Sequence, residues 1–598
     1  MIKQLLIAML FITTALQAQT KENNKFKTYF EAHEYNQTPR YPQTIEYCKL
    51  LADNSPWITY TSIGKSPQGR DIPLLIVDKD GDTSVTQCRA KGKAIVLIEA
   101  CIHAGEPDGK EAGFMLIRDI AIYKKNTHLL DNVTLLFIPI INVDGHEQFS
   151  AYNRINQNGP LELGTRTTAQ RINMNRDFIK ADAPEMQHWI KLYTTWMPEL
   201  FIDVHVTNGA DFQYVITYGM DNTGYMENGL RQWTQNNFEK PLKEMMKNNG
   251  FPIFPYFSFI QQNKPEKGMT LDTFAPQYSN GYAAAHNRIG LLIETHIYKP
   301  YKQRVEGTYK MLSNAIEIVN TKRDELQSAI AKADKFTSSD AFRKEPLVLT
   351  YTNTFTDSIP DNFLGWKTKT ITSDLSGAKW TLQDYDSPIT TPTHIYTSFK
   401  PEKTATVPKA YILTPENISA IELLKLHGLN MEILTEPIQI KVQTYRFISK
   451  KEKGLDPIWA QTPYEGRITT NVTFTTQNEV ITYPKGAVIV KMDQPKAKIA
   501  AFLLEPDSPT SLVYWGFYNS YINPPSEFWV RVGYMEVKGR EMMAKDPKLK
   551  EEFQQKIAND SSFANNPQAR LQFFYDKLRQ HVEPYGNLYP IGKIIDTL

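Results

Sequence analysis

Cysteine is scarce in this chain: Cys48, Cys88 and Cys101 are the only three in 598 residues. That excludes a disulfide-stapled scaffold and any metal site built from four thiolates. A surplus of one charge is missing too. Lysine and arginine number 67 against 65 acidic residues, a net charge of +2, so neither nucleic acid nor an anionic membrane surface is implied as a partner. Long apolar runs are absent beyond the N-terminus, and the mean hydropathy of −0.42 excludes a polytopic membrane protein. No internal repeat or low-complexity tract points to a solenoid or a disordered polymer. What the chain does have is 41% apolar and 12% aromatic residues, enough for large packed cores. Its length exceeds what one core holds, so two to four domains are expected.

The N-terminus reads as an address. Met1, Ile2, Lys3 and Gln4 make a short positive start, residues 5–16 are apolar, and Ala15 and Ala18 precede the polar residues 19–22. This order describes a secretory signal peptide over residues 1–18. The apolar run is shorter than the roughly 20 residues that span a bilayer. The expected mature protein is exported, periplasmic or extracellular, with no membrane insertion after signal removal. Cys48 and Cys88 could pair in such a compartment.

Residues 22–333 read as an α/β domain. Residues 94–98 are a continuous apolar run of the kind found in strands buried on both faces, and 133–141, 200–206 and 289–293 are further short apolar runs. Helix-length segments separate them, one carrying Ala112, Met115, Leu116 and Ile120 at helical spacing. The pattern predicts a mixed, largely parallel twisted sheet flanked by helices, closed by a charged helix over residues 303–331. Residues 334–343 turn polar and read as a linker. Residues 344–505 read as a β-rich or mixed accessory domain with a helix over 418–426. Residues 506–598 read as a helical C-terminal region, where Asp546-Pro547 and Asn566-Pro567 are helix-start signals.

Candidate chemistry collects at strand ends, the edge where open α/β sheets bind ligands. His103-Ala104-Gly105-Glu106 follows the first apolar run, and its His and Glu can face one cation. His205 ends the run Phe201-Ile202-Asp203-Val204, with Asp203 on the same strand face. Two histidines and one carboxylate leave a tetrahedral zinc with an open position, the catalytic pattern. Glu294 closes a third run and is a candidate proton acceptor, with His296 two residues on as a rival ligand. The bland alternatives are a surface His–Glu pair, a core histidine at 205, and a Glu294–Arg288 ion pair. Asn142-Val143-Asp144-Gly145 reads as a turn. In the loop 173–178, the Asn and Arg side chains are donors suited to clamping a carboxylate.

In order along the chain, His103-Ala104-Gly105-Glu106, Asn142-Val143-Asp144-Gly145, Asn175-Arg176, His205 and Glu294 resemble the zinc carboxypeptidase family, the carboxypeptidase A-like metallopeptidases. The resemblance covers about residues 41–321. It implies one zinc per chain held by His103, Glu106 and His205, with Glu294 handling the proton of the attacking water. It also implies that Asn175 and Arg176 grip the free carboxylate of a peptide substrate, and that Asn173 orients the first zinc histidine. The activity implied is that of an exported zinc metallopeptidase releasing C-terminal residues. An amidase or peptidase of cell-wall peptides, or a non-catalytic peptide binder, is the alternative on the same fold. The chain departs from the family in three places. Gln157 stands twelve residues beyond Gly145, where the family commonly has an oxyanion-stabilising arginine, so Arg154 is the substitute candidate, followed by Arg166 and Arg171. Tyr278 and Tyr282 both compete for the substrate-capping role. Gly105 replaces an arginine.

Overall fold

The computed structural model describes residues 25–207, 211–221, 223–447, 460–522, 532–582 and 588–596. The signal-peptide reading of residues 1–18 lies outside the described residues.

The strands of the N-terminal α/β region are β1 (Ile58–Lys65), β2 (Asp71–Val77), β3 (Ala94–Ala100), β4 (Val133–Ile138), β5 (Leu200–Thr207), β6 (Ile216–Gly219), β7 (Ile253–Pro255), β8 (Phe257–Phe259), β9 (Met269–Leu271) and β10 (Ile289–His296). Eight of them form one sheet in the order β1-β2-β4-β3-β5-β10-β6-β7. The centre, β4-β3-β5-β10, is parallel; β1, β2 and β6 join antiparallel. Every residue of β3, β4 and β5 is buried, which is why these strands lack the polar alternation of a one-sided sheet.

Helices cover both faces. On one, Thr295 of β10 donates to Asp108, the first residue of helix Asp108–Ala121, which Arg304 of helix Tyr301–Thr321 also grips at 2.9 Å. On the other, Phe201 of β5 packs against Trp189 of helix Pro184–Trp196 and near Phe178. Strand alternation therefore sends Phe201, Asp203 and His205 to this second face.

The polar stretch expected to be a linker is helical. Helix Arg323–Thr337 runs on from Tyr301–Thr321, and Asp340–Lys344 follows it. Asp334 accounts for the difference, since it forms an ion pair with Arg288 and is part of the packed structure. Beyond it, a long hairpin (Ser358–Thr372 with Lys379–Tyr396) joins β9 and β8 in a second sheet. A six-stranded sheet is completed by the strand Ile591–Ile594, so the C-terminal region is not purely helical. The caps at Asp546 and Asn566 form as their sequence suggests.

One hydrophobic cluster runs from Phe26 through the eight-stranded sheet to Phe502, Leu512 and Ile591. Buried Lys498 seals the junction, donating to Tyr225 O and Asn287 Oδ1 at 2.8 Å each. The accessory region is thus packed into the core of the α/β region. Cys48, Cys88 and Cys101 are all buried and unpaired, so the Cys48–Cys88 pairing does not form. Among the described residues no helix is long and apolar enough to cross a membrane.

Candidate active site

Strand β3 ends at Ala100, and Cys101 turns the chain with a φ of 60°. His103 and Glu106 then reach the C-terminal edge of the sheet, where β5 delivers His205. One ligand atom from each of His103, Glu106 and His205 falls within 4.8 Å of the others. The closest approaches are tighter: His103 Nδ1 lies 3.2 Å from Glu106 Oε1 and 3.2 Å from His205 Nδ1, and His205 Nδ1 lies 3.0 Å from Glu106 Oε2. Neighbouring donors on a tetrahedral zinc with bonds near 2.1 Å would sit about 3.4 Å apart. Two imidazole nitrogens turned toward each other beside a carboxylate fit that ion.

The outward nitrogens are engaged as metal ligands require. His205 Nε2 donates to Asp203 Oδ2 at 2.7 Å, and His103 Nε2 donates to Asn173 Oδ1 at 3.1 Å. Burial lowers the His103 pKa to about 4, which keeps the imidazole neutral and its lone pair available for a cation. For His205, burial acts in the same direction but Asp203 and Glu106 outweigh it and hold the imidazole well above its usual value. Glu106 stays well below the carboxylate range despite its burial, because Arg154 and His103 favour its charge. Deeper still, Glu99 sits opposite Asp203 in the sheet register, and burial next to that carboxylate raises its pKa well above normal.

The cleft beside this cluster has a volume of about 400 Å³. Glu294, Arg166, Asn175, Arg176, Tyr256 and Tyr278 line it. Glu294 is placed by register: it pairs with His205 across parallel β5 and β10, so both point to the same face. Its carboxyl opens onto the cleft yet lies deep, and burial, supported by Glu106 and Asp203, raises its pKa to about 8. Arg288 is committed to Asp334, so no Glu294–Arg288 pair forms. His296 is buried against Phe212, with ring centroids 4.2 Å apart, and is not among the converging ligands.

Two candidates are placed elsewhere. Arg154 does not line the cleft. Its Nη1 donates to Glu106 Oε1 at 2.7 Å, its Nη2 to Val206 O at 3.0 Å and its Nε to Gln157 at 2.6 Å. Its stem also explains Gly105, since a Cβ there would meet Arg154 Cδ at 2.6 Å and Gly164 O at 2.8 Å. Arg166 does reach the cleft, with Nη1 3.2 Å from His103 Nδ1, whereas Arg171 is exposed. Tyr282 is fully buried in helix Ser279–Ala285 with its hydroxyl 2.8 Å from His427 Nδ1. It belongs to the core. Tyr278, just before that helix, faces the cleft under the Arg176 guanidinium at 4.6 Å. Asp144 of the Asn142–Gly145 segment is bound by Arg70 and Ser66, so this turn, which folds as the start of a short helix, braces the scaffold.

Residues 44–328 match the zinc carboxypeptidase family. The chain carries a zinc carboxypeptidase domain. The match covers a little under half the sequence, and likeness to named proteins extends further. The Carboxypeptidase 2 of Trichophyton rubrum is 22% identical over 80% of this chain and 84% of its own length. That of Trichophyton tonsurans is 24% identical over the same shares. Among solved structures, a metallo-carboxypeptidase from Burkholderia cenocepacia is 15% identical, with a TM-score of 0.35, over 47% of this chain and 69% of that one.

Around the cleft of this zinc carboxypeptidase domain, three side chains escape sequence reading. Tyr256 sits in a loop between short strands. Tyr464 and Glu465 come from the accessory region: Arg176 Nε donates to the Tyr464 hydroxyl at 2.9 Å, and Asn173 Nδ2 donates to Glu465 Oε1 at 3.1 Å. No local pattern announces a contact made across nearly 300 residues.

Proposed function

We propose that this zinc metallocarboxypeptidase removes the C-terminal residue from peptides bearing a free terminal carboxylate, in an exported compartment. The observation that carries the reading is convergence: three metal-ligand side chains, Glu294, Arg166 and the Asn175–Arg176 pair line one cleft. Zinc held by His103, Glu106 and His205 would supply Lewis acidity to the scissile carbonyl and make water nucleophilic near neutral pH. Glu294 takes the proton of the attacking water and returns it to the departing amine, a task suited to a carboxyl held beside His205 and facing the cleft. Arg166 meets the negative charge that develops on the carbonyl oxygen. Arg176 spends Nε on Tyr464 and Nη1 on Asn175 O at 2.7 Å; among the described residues no acceptor meets Nη2. That edge and the Nδ2 donor of Asn175, which also lines the cleft, receive the substrate terminus.

The test is a matched pair of N-blocked dipeptides, one ending in a carboxylate and the other in an amide. Zinc-loaded protein should release the terminal residue from the acid, lose that activity to a chelator and regain it with zinc. The amide should be cleaved at least about tenfold less efficiently, the worth of one or two charge-assisted hydrogen bonds. Equal cleavage of both, or none with zinc supplied, would overturn the reading. Export rests on the pattern of residues 1–18, and a mature N-terminus near Gln19 would support it. Retention of Met1 on secreted protein would count against it.

A further inference from the structure

The two zinc-site histidines are supported unequally. His205 donates directly to a carboxylate, Asp203, at 2.7 Å. His103 donates to an amide, Asn173 Oδ1, at 3.1 Å. An amide is neutral and has a wrong way round, with its nitrogen toward the imidazole. Two neighbours enforce the right one. The backbone N–H of Asn175 donates to Oδ1 at 3.1 Å, and on the other side Nδ2 donates to Glu465 Oε1 at 3.1 Å. Glu465, an acceptor only when ionised, can bond the nitrogen end but not the oxygen end.

Glu465 is presented by a hairpin of the accessory region, strands Ala460–Tyr464 and Arg467–Asn471, joined by a two-residue turn. Glu465 (φ 47°) and Gly466 (φ 84°) both take positive φ, as a tight turn of this hand requires. The tip is locked onto the catalytic domain through Asp182 and onto the C-terminal region through Trp515 and Phe517. Arg467 forks onto Asp182 at 2.7 and 2.5 Å, lies over the Phe517 ring at 4.1 Å, and donates to Trp515 O. Next to Glu465, the Tyr464 hydroxyl accepts from Arg176 Nε.

We propose that Glu465 is a positioning residue for the zinc ligand His103, the outermost member of a His103–Asn173–Glu465 chain. It supplies, from the accessory domain, the negative charge that Asp203 gives His205 directly. The inference rests on His103 being a zinc ligand, as in the proposed function, and extends it: the metal site of the catalytic domain is completed by the accessory domain. Charge reaching His103 through the Asn173 amide raises the basicity of the imidazole and fixes its plane.

The experiment measures zinc affinity of the full chain by competition with a chromophoric chelator, in four forms: wild type, Glu465→Gln, Asn173→Asp and the double variant. Glu465→Gln should weaken zinc binding roughly tenfold, the low end of the cost of losing an outer partner. In the Asn173→Asp background the same change should no longer weaken it. There a carboxylate already serves His103, and Glu465 would face a like charge, so its removal is neutral or favourable. This reversal of sign is one a merely structural role for the hairpin would not produce. Equal losses in both backgrounds, or no loss in the first, would overturn the inference while leaving the proposed function intact. A wild type that binds no zinc would overturn both.

Discussion

Replacing Arg154 with methionine separates two roles that the sequence alone leaves entangled. In the structure the guanidinium spans Glu106 Oε1 and Val206 O, at 2.7 and 3.0 Å, and stays out of the cleft. Glu106 is only 2% exposed, so the variant strands a buried carboxylate. Breaking such a pair costs about 3–5 kcal/mol, in line with about 4 kcal/mol for unit charges 4 Å apart at an effective dielectric of 20. His205 Nδ1 and the Val206 N–H still serve Glu106 Oε2, which favours the lower figure of about 3 kcal/mol. Zinc-free Arg154→Met should therefore unfold at clearly lower denaturant than zinc-free wild type. Zinc should recover more stability in the variant than in wild type, because the cation takes over the charge on Glu106. An oxyanion donor behaves differently: its loss lowers kcat by about 10²–10³ and leaves zinc-free stability unchanged. That second pattern for Arg154→Met would refute the assignment made here and return the oxyanion role from Arg166 to Arg154.

Three further outcomes follow from the same geometry. Glu294→Gln should lower kcat by about 10²–10⁴, the usual worth of a positioned base, with zinc content unchanged; loss of the metal would make Glu294 a ligand. Arg176→Ala should raise KM for free-carboxylate dipeptides by roughly ten- to a hundredfold and leave the amidated substrates unaffected, so an equal effect on both would refute the clamp. Glu111 is fully buried, and burial raises its pKa to about 7 even though Thr38 donates to it at 2.7 Å. An unfolded glutamate titrates near 4.3, so between about pH 4 and pH 7 the folded state holds the extra proton and stability falls as pH rises. Thermal unfolding of wild type relative to Glu111→Gln should show that decline, level off above pH 7, and contradict the reasoning if the slope is reversed.

How much of this was legible in the sequence depends on what specifies each position. Strands β3, β5 and β10 are buried on both faces, so composition alone reveals them, and His103, His205 and Glu294 stand out as polar residues at the ends of apolar runs. Their strand-end places then follow from topology. Loop residues carry no such signal. Arg154, Arg166 and Arg171 all lie in the irregular stretch between residues 148 and 173, and only tertiary contacts decide which one faces the cleft. Tyr278 and Tyr282 differ by one helical turn, and that turn separates cleft from core. The polar run near Asp334 suggested a linker because composition does not reveal an ion-pair partner 46 residues upstream. Glu465 was invisible for the same reason on a larger scale, since its partner Asn173 lies 292 residues away.

The most direct test is anomalous diffraction at the zinc absorption edge from crystals of the zinc-loaded protein. The account predicts one strong peak about 2.1 Å from His103 Nδ1, His205 Nδ1 and a Glu106 oxygen, with Glu294 facing it but not bonded. A peak coordinated by His296 or Glu294 in place of these donors, or no peak at the β3–β5 edge in active protein, would contradict it.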